Sequence, residues 1–188
     1  MNIVELKKEM INYGKKSVFS GLTYANLGNM SSRISDKVII TKTGTDLSDL
    51  DFDSFISVDL FDVGKGNECA SVELNVHREI YKATFWKAIL HVHSPFCSAL
   101  SLCFSEKIKP VDLEGVKFLE DIPVVEGVSG TLELGKRLGN VLKRKKVAVN
   151  KGHGLFACGG DFKEAFINAS IAEHSAKLIY IYKTFNEK

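Results

Sequence analysis

Residues 87–95 read KAILHVHSP, a short apolar run that ends in two histidines and a proline. Side chains alternate along a strand, so His91 and His93 would leave the sheet on the same face. Ser94-Pro95 then predicts the start of a helix, because proline suits the first helical turn. The stretch therefore predicts a strand followed directly by a helix, with two imidazoles presented together.

Outward from this stretch, helical and strand patterns mix without a strict βαβ rhythm, which predicts an α/β fold with helices on a largely antiparallel sheet. No repeat or Pro/Gly-rich linker divides the sequence, so we expect residues 1–188 to form a single domain. Gly21 to Arg33 is turn-rich and is interpreted as a loop. Ser71 is interpreted as the N-cap of a helix that runs to about Thr84. Further strands are expected at 38–41, 56–61, 121–125, 147–149 and 154–157, and further helices at 3–19, 131–143 and 161–185.

The amino-acid composition limits the classes of protein to which the chain could belong. Hydrophobic residues make up 45% of the chain, and 25 basic side chains stand against 23 acidic ones, which gives no support for a nucleic-acid or membrane surface. No apolar run approaches the roughly 18 residues that span a bilayer, and charges interrupt the apolar positions of the N-terminus. Cys97 and Cys103 are expected to be small core residues. The unpatterned thiols fit a reducing compartment, so we expect a cytoplasmic protein.

His91 and His93 form a candidate metal pair, and the candidate third ligand is His153. Zinc sites commonly combine a close pair with a distant ligand and leave one position open for catalysis. Glycines on both sides of His153 allow a sharp turn and a close approach. Spacing alone leaves an ordinary structural role equally open. His77 is a candidate lining residue of the same cavity, and His174 is interpreted as an ordinary surface or core residue.

Glu73 is the candidate proton carrier, although a carboxylate at a helix N-terminus is also a favourable cap in its own right. Three segments, at Gly28-Asn29, at Thr43-Gly44 and at Ser71, offer backbone N–H groups and small polar side chains to an anion. Each segment is also ordinary turn chemistry, so the three matter only if the fold brings them together. The candidate anion-binding residues are Gly28, Asn29, Thr43, Gly44 and Ser71.

The order of these features resembles the class II aldolase/adducin family, and within it the L-fuculose-phosphate aldolases. Each motif is short, but the ordered set is specific and spreads over roughly residues 8–180. The matching elements are Gly28-Asn29-x-Ser31, Thr43-x-Thr45 around Gly44, Ser71-x-Glu73 followed by His77, His91-Val92-His93-Ser94, and His153-Gly154 with Gly159 and Glu164-Ala165.

The resemblance implies a three-layer fold around a central, mainly antiparallel sheet, and a homotetramer whose active sites lie between subunits. It implies that His91, His93 and His153 bind one Zn²⁺, or another divalent transition metal, in each subunit. Glu73 would be the general acid/base, and the three anion-type segments would hold a substrate phosphate. The implied activity cleaves a ketose 1-phosphate, such as L-fuculose 1-phosphate, to dihydroxyacetone phosphate and an aldehyde through a metal-stabilised enediolate.

Two departures from the family pattern leave the substrate open. Val72 stands where the fuculose-phosphate aldolases have a second serine, and the segment 109–115 lacks the tyrosine that reaches a neighbour's site in the bacterial enzymes. Alternatives on the same metal site are a dehydratase of the methylthioribulose-1-phosphate type and a 4-epimerase. The sequence ends soon after the helix at Asp161, without the epimerases' longer tail, which disfavours the epimerase. A non-catalytic, adducin-like scaffold would not need the three histidines and Glu73.

Overall fold

The computed structural model describes residues 2–61 and 67–186 of the chain. None of the helices in those ranges combines the length and the apolar character needed to cross a membrane. The helices are α1 (Ile3–Phe19), α2 (Leu74–Ala83), α3 (Pro95–Cys103), α4 (Leu113–Phe118), α5 (Leu132–Leu142) and α6 (Phe162–Asn186). The strands are β1 (Asn29–Ile34), β2 (Lys37–Thr41), β3 (Phe55–Asp59), β4 (Ala88–Val92), β5 (Lys107–Ile108), β6 (Ile122–Val125), β7 (Val147–Asn150) and β8 (Gly154–Gly159).

The eight strands form one sheet in the order β3-β2-β1-β4-β8-β7-β6-β5. All neighbouring strands run antiparallel except β6 and β7, which are parallel. The predicted α/β fold with a mainly antiparallel sheet is therefore confirmed. The strand that carries His91, β4, lies in the middle of the sheet between β1 and β8.

Two hydrophobic cores lie on opposite faces of this sheet, which gives the expected three layers. Along β4, Leu90 and Val92 belong to the core that is covered by α1, α3 and α6, whereas Ile89 belongs to the core covered by α2 and α5. On α6, small side chains at helical spacing face the sheet and allow the helix axis to approach it closely. These small residues are Ala165, Ala169, Ala172 and Ala176, all buried.

The prediction of a loop over Gly21 to Arg33 is wrong for its last part, because Asn29–Ile34 is the interior strand β1. Its polar residues are buried instead of exposed. The Ser31 hydroxyl lies 2.6 Å from Nδ1 of His77 and 2.9 Å from the hydroxyl of Tyr81. These hydrogen bonds satisfy the buried hydroxyl of Ser31, and with buried polar residues this strand lacks the hydrophobic pattern by which strands are recognised in a sequence.

The predicted N-cap role of Ser71 is also wrong. Helix α2 begins at Leu74, and Glu73 occupies the N-cap position without a side-chain capping bond. Ser71 closes a turn before the helix, since its carbonyl accepts a hydrogen bond from the N–H of Leu74 at 2.9 Å. Cys97 is buried as expected, but Cys103 is exposed at the end of α3. The short elements α4 and β5 were not predicted, and α4 is mostly exposed.

Candidate active site

The three histidines singled out in the sequence converge where β4 ends. His91 belongs to β4, His93 follows its last residue, and His153 lies in the turn between β7 and β8. Ring centroids are 5.0 Å apart for His91 and His93, 5.0 Å for His91 and His153, and 4.6 Å for His93 and His153. The candidate ligand nitrogens all lie within 4.8 Å of one another. Two Zn–N bonds span at most about 4.2 Å, so a slight inward rotation would let all three rings reach one ion.

His91 has the hydrogen bonding expected of a metal ligand. Its Nδ1 lies 3.2 Å from the carbonyl oxygen of Leu155. A carbonyl can only accept, so Nδ1 carries the proton and Nε2 keeps a free lone pair. Nε2 is buried and has no hydrogen-bond partner among the described residues. Ligating histidines commonly donate their other N–H to a backbone carbonyl, so the residues present fit a metal ion at Nε2 of His91.

The protonation states of the histidines also suit a metal ion. Burial lowers the pKa of His91 well below its ordinary value, and the neighbouring His153, His93 and His77 lower it further. Burial and the nearby His153 lower the pKa of His93 to about 4. Both rings are therefore neutral near pH 7, the state in which an imidazole can offer a lone pair to a cation.

Glu73 is 2% exposed, and its carboxylate is held by the loop between β6 and α5. The hydroxyl of Ser129 donates a hydrogen bond to Oε1, and the N–H of Gly130 donates one to Oε2 at 3.1 Å. These two bonds satisfy a carboxylate that water hardly reaches. Ser129 and Gly130 were not predicted as site residues, because Gly127-Val128-Ser129-Gly130 has the composition of an ordinary turn.

Two glycines allow strands to approach His91 closely. Asn29 pairs with His91 across β1 and β4, and a Cβ added at the preceding Gly28 would lie 2.8 Å from the carbonyl oxygen of His91. On the other side, a Cβ at Gly154 would lie 2.9 Å from Cε1 of the His91 ring. Any side chain at either position would displace the strand or the imidazole.

The predicted anion-binding segments meet the histidines around a cavity of about 320 Å³. The end of β2 is joined to the turn before α2, since the N–H of Ser71 donates to the carbonyl of Thr41 at 3.0 Å. Ser129 and Lys42 line the cavity as well. All the candidate site residues of the sequence analysis line it: Gly28, Asn29, Thr43, Gly44, Ser71, Glu73, His91, His93 and His153.

The two remaining histidines lie outside the cavity lining. His77 is fully buried, with Nδ1 bound to the hydroxyl of Ser31, so the expectation that it lines the cavity is wrong. Burial lowers the pKa of His77 to about 3. His174 is exposed on α6, in agreement with its interpretation as an ordinary surface residue.

Fold and site together define a class of protein, and comparison with known proteins gives the same class. The family model of the class II aldolase and adducin N-terminal domain matches residues 8–180. The chain therefore belongs to the class II aldolase and adducin family.

Three relatives illustrate the range of this similarity. The chain is 32% identical to an L-fuculose phosphate aldolase of Methanococcus vannielii, over 85% of this chain and 87% of the relative. It is 30% identical to a 3-oxo-tetronate 4-phosphate decarboxylase of Pectobacterium atrosepticum, over 93% of this chain and 84% of the relative. The crystal structure of L-fuculose-1-phosphate aldolase from Thermus thermophilus superposes with a TM-score of 0.92 at 31% identity, covering 98% of this chain and 97% of that one.

Proposed function

We propose that this protein is a metal-dependent lyase of the aldolase type that acts on a phosphorylated ketose. One observation supports the proposal most strongly: three imidazoles, the buried carboxylate of Glu73 and the three candidate anion-binding segments converge around one cavity. Zn²⁺ is the proposed ion, because it is commonly held by three histidines that leave a further position for substrate. Other divalent transition metals also accept imidazole ligands and are the alternatives.

The proposed roles follow from the chemistry of each group. An ion held by His91, His93 and His153 would supply Lewis-acid stabilisation of negative charge on substrate oxygens. When the carbon–carbon bond breaks, the hydroxyl of the departing carbon releases its proton to water and becomes the carbonyl of the aldehyde, and the electron pair stays on the carbon next to the ketone. Glu73 in its protonated form donates a proton to that carbon and is left as a carboxylate. In the reverse direction Glu73 removes this proton. The segments at Gly28, Thr43 and Ser71 would hold the phosphate, with the hydroxyls of Thr43 and Ser71 as donors because their own N–H groups already donate to backbone carbonyls.

The test uses metal-stripped protein that is reloaded with Zn²⁺ and incubated with L-fuculose 1-phosphate. We expect dihydroxyacetone phosphate and an aldehyde to appear in equal amounts, and a chelator to abolish the reaction. Loss of water without carbon–carbon cleavage would favour the dehydratase alternative. A product that keeps every carbon and only changes configuration would favour the epimerase.

Decarboxylation of a 3-oxo-tetronate 4-phosphate is the second candidate function, favoured by the similarity to the Pectobacterium relative. Loss of CO₂ from such an acid also leaves an electron pair on the carbon next to a ketone, so the same ion and the same proton donor would serve. Both reactions release dihydroxyacetone phosphate. The co-product therefore decides between them, an aldehyde for the aldolase and CO₂ for the decarboxylase.

We propose a homotetramer with active sites between subunits, and we propose that each chain contributes a single domain. Val111 and Leu113, in the segment where the bacterial enzymes carry a tyrosine, are 56% and 83% exposed, which supports a subunit contact there. Light scattering after size-exclusion chromatography would measure the assembly.

All four cysteines are free, which supports the reducing cytoplasm as the proposed location. A purified protein without any bound metal would instead favour the adducin-like scaffold.

A further inference from the structure

Helix α3 contacts both parts of the chain that carry the candidate metal ligands. It starts two residues after His93, which lies beyond the last residue of β4. Farther along the helix, the hydroxyl of Ser98 donates to the carbonyl of His153 at 3.3 Å, and the hydroxyl of Ser101 accepts from the N–H of Gly152 at 2.8 Å. A shift of α3 would therefore move His93 and His153 relative to His91, which is fixed within the sheet.

The N-terminus of α3 is capped from a distant element. Ser94 occupies the N-cap position but makes no side-chain capping bond, and Pro95 has no N–H to offer. The next two N–H groups, those of Phe96 and Cys97, donate to the two carboxylate oxygens of Glu173 at 2.8 and 2.9 Å. Glu173 lies on α6, so its carboxylate fastens the start of α3 to the helix that crosses the sheet.

This carboxylate has no ion pair to account for its position. Glu173 is 9% exposed, and among the described residues it forms no salt bridge within 4.0 Å. Burial raises its pKa, although the N–H groups of Phe96 and Cys97 act in the opposite direction. Burying a carboxylate without a cation is costly. The two N–H groups of α3 and the helix dipole offset part of this cost.

We propose that Glu173 is a positioning residue that sets the metal affinity of the site by fixing α3. The inference rests on the proposed metal site at His91, His93 and His153. Glu173 is not among the residues that line the cavity of the histidines. It acts by holding the helix that connects His93 to the carbonyl of His153.

The test measures metal affinity of the metal-stripped protein by competition with a chelator, for Zn²⁺ and Co²⁺, and records the visible absorption spectrum of the Co²⁺ form. In Glu173→Gln one helix N–H faces an amide NH₂ and loses its acceptor. We expect about tenfold weaker binding, the lower end of the range for residues that support metal ligands, and an altered Co²⁺ spectrum. The affinity is calculated for the folded protein, and circular dichroism measures the folded fraction.

Glu9→Gln is the matched control. Oε1 of Glu9 accepts from the N–H of Phe162 at 3.2 Å, so this carboxylate also caps a helix from a distant element. It lines a different cavity from the histidines. We expect Glu9→Gln to lower thermal stability as Glu173→Gln does, but to leave the metal affinity and the Co²⁺ spectrum unchanged.

Each outcome separates the inference from the function on which it rests. A wild-type protein that binds neither Zn²⁺ nor Co²⁺ would overturn the proposed function itself. A wild-type protein that binds metal, with a Glu173→Gln variant of equal affinity and equal spectrum, would overturn this inference alone. If Glu173→Gln does not fold, Ser101→Ala removes one of the two hydroxyl contacts between α3 and the turn that carries His153. Weaker binding in that variant supports the positioning role, and unchanged binding contradicts it.

Discussion

His91 lies within β4 at the middle of the sheet, whereas Thr43 and Gly44 lie exposed in the turn that follows β2. The His91 ring is fully buried, stacked on Phe156 at 4.1 Å between centroids, and its tautomer is fixed by the carbonyl of Leu155. The half of the site proposed to bind the metal is therefore anchored in the sheet by His91, with His93 and His153 just beyond strand ends. The half proposed to bind the anion lies mostly outside the strands, Asn29 at the start of β1 excepted. Loops vary more freely than sheet interiors, so such a site can keep its reacting centre while its substrate changes.

The largest expected effect is on the reacting centre, in Glu73→Gln. The glutamine amide can still accept from Gly130 and donate to Ser129, so the fold and the metal content should stay as they are. The proton donor is lost, and we expect kcat of the Zn²⁺-loaded enzyme to fall about 10²–10⁴-fold. Steady-state kinetics together with elemental analysis of the same sample measure both quantities. Unchanged turnover would exclude Glu73 as the acid/base.

The substitution His153→Ala tests the proposed metal site through its affinity for Zn²⁺. Losing a direct ligand should weaken Zn²⁺ binding by at least the roughly 100-fold that loss of a supporting residue can cause. Competition with a chelator measures the affinity, and circular dichroism verifies the fold. His174→Ala, an exposed histidine on α6, is the control and should bind Zn²⁺ like the wild type. Full metal occupancy in His153→Ala would remove this residue from the ligand set.

His77, buried on α2 outside the cavity, should make the metal-free protein sensitive to acid. The pKa of His77 is lowered by burial to about 3, whereas in the unfolded chain it is about 6.5. Between these two pKa values the unfolded chain binds a proton at His77 and the folded protein does not. The contribution of His77 to stability is therefore fully present above pH 6.5 and decreases as the pH drops. We expect the titration of His77 alone to lower the free energy of unfolding by about 2–3 kcal/mol at pH 4.5. Denaturant unfolding at several pH values measures this loss, and His77→Asn, which cannot titrate, should show a shallower decline.

The smallest effect is expected in the anion half. Ser71→Ala removes a hydroxyl from the cavity lining, and a hydrogen bond to a charged group contributes about 1.5 kcal/mol at the low end. We expect KM for the phosphorylated substrate to rise about tenfold, with kcat and metal content unchanged. Inhibition by inorganic phosphate should weaken by the same factor. An equal loss in kcat would mean that Ser71 acts on the reacting centre, and the division between the two halves would then be wrong.

The sequence predicted the metal half better than the elements that surround it. The strand before His93 and the helix after it are recognisable from a local apolar run and a proline, and the structure agrees with both. Strand β1 was missed because hydrogen bonds, not apolar contacts, satisfy its buried Ser31. Contacts between distant segments, such as Ser129 with Glu73, leave no local pattern at all. The convergence of the anion segments likewise depended on strand order, which no single motif contains.

The close approach of Gly28 and Gly154 to His91 has a practical use in searching genomes for enzymes of this kind. Three histidines in the right order can survive in a sequence whose binding site has been lost. The two glycines indicate something else, namely that the backbone approaches the carbonyl of His91 at Gly28 and the ring of His91 at Gly154 too closely for a side chain. Sequences that keep the histidines but carry larger residues at both glycine positions should be set aside first, because the strand or the imidazole corresponding to His91 would have to move.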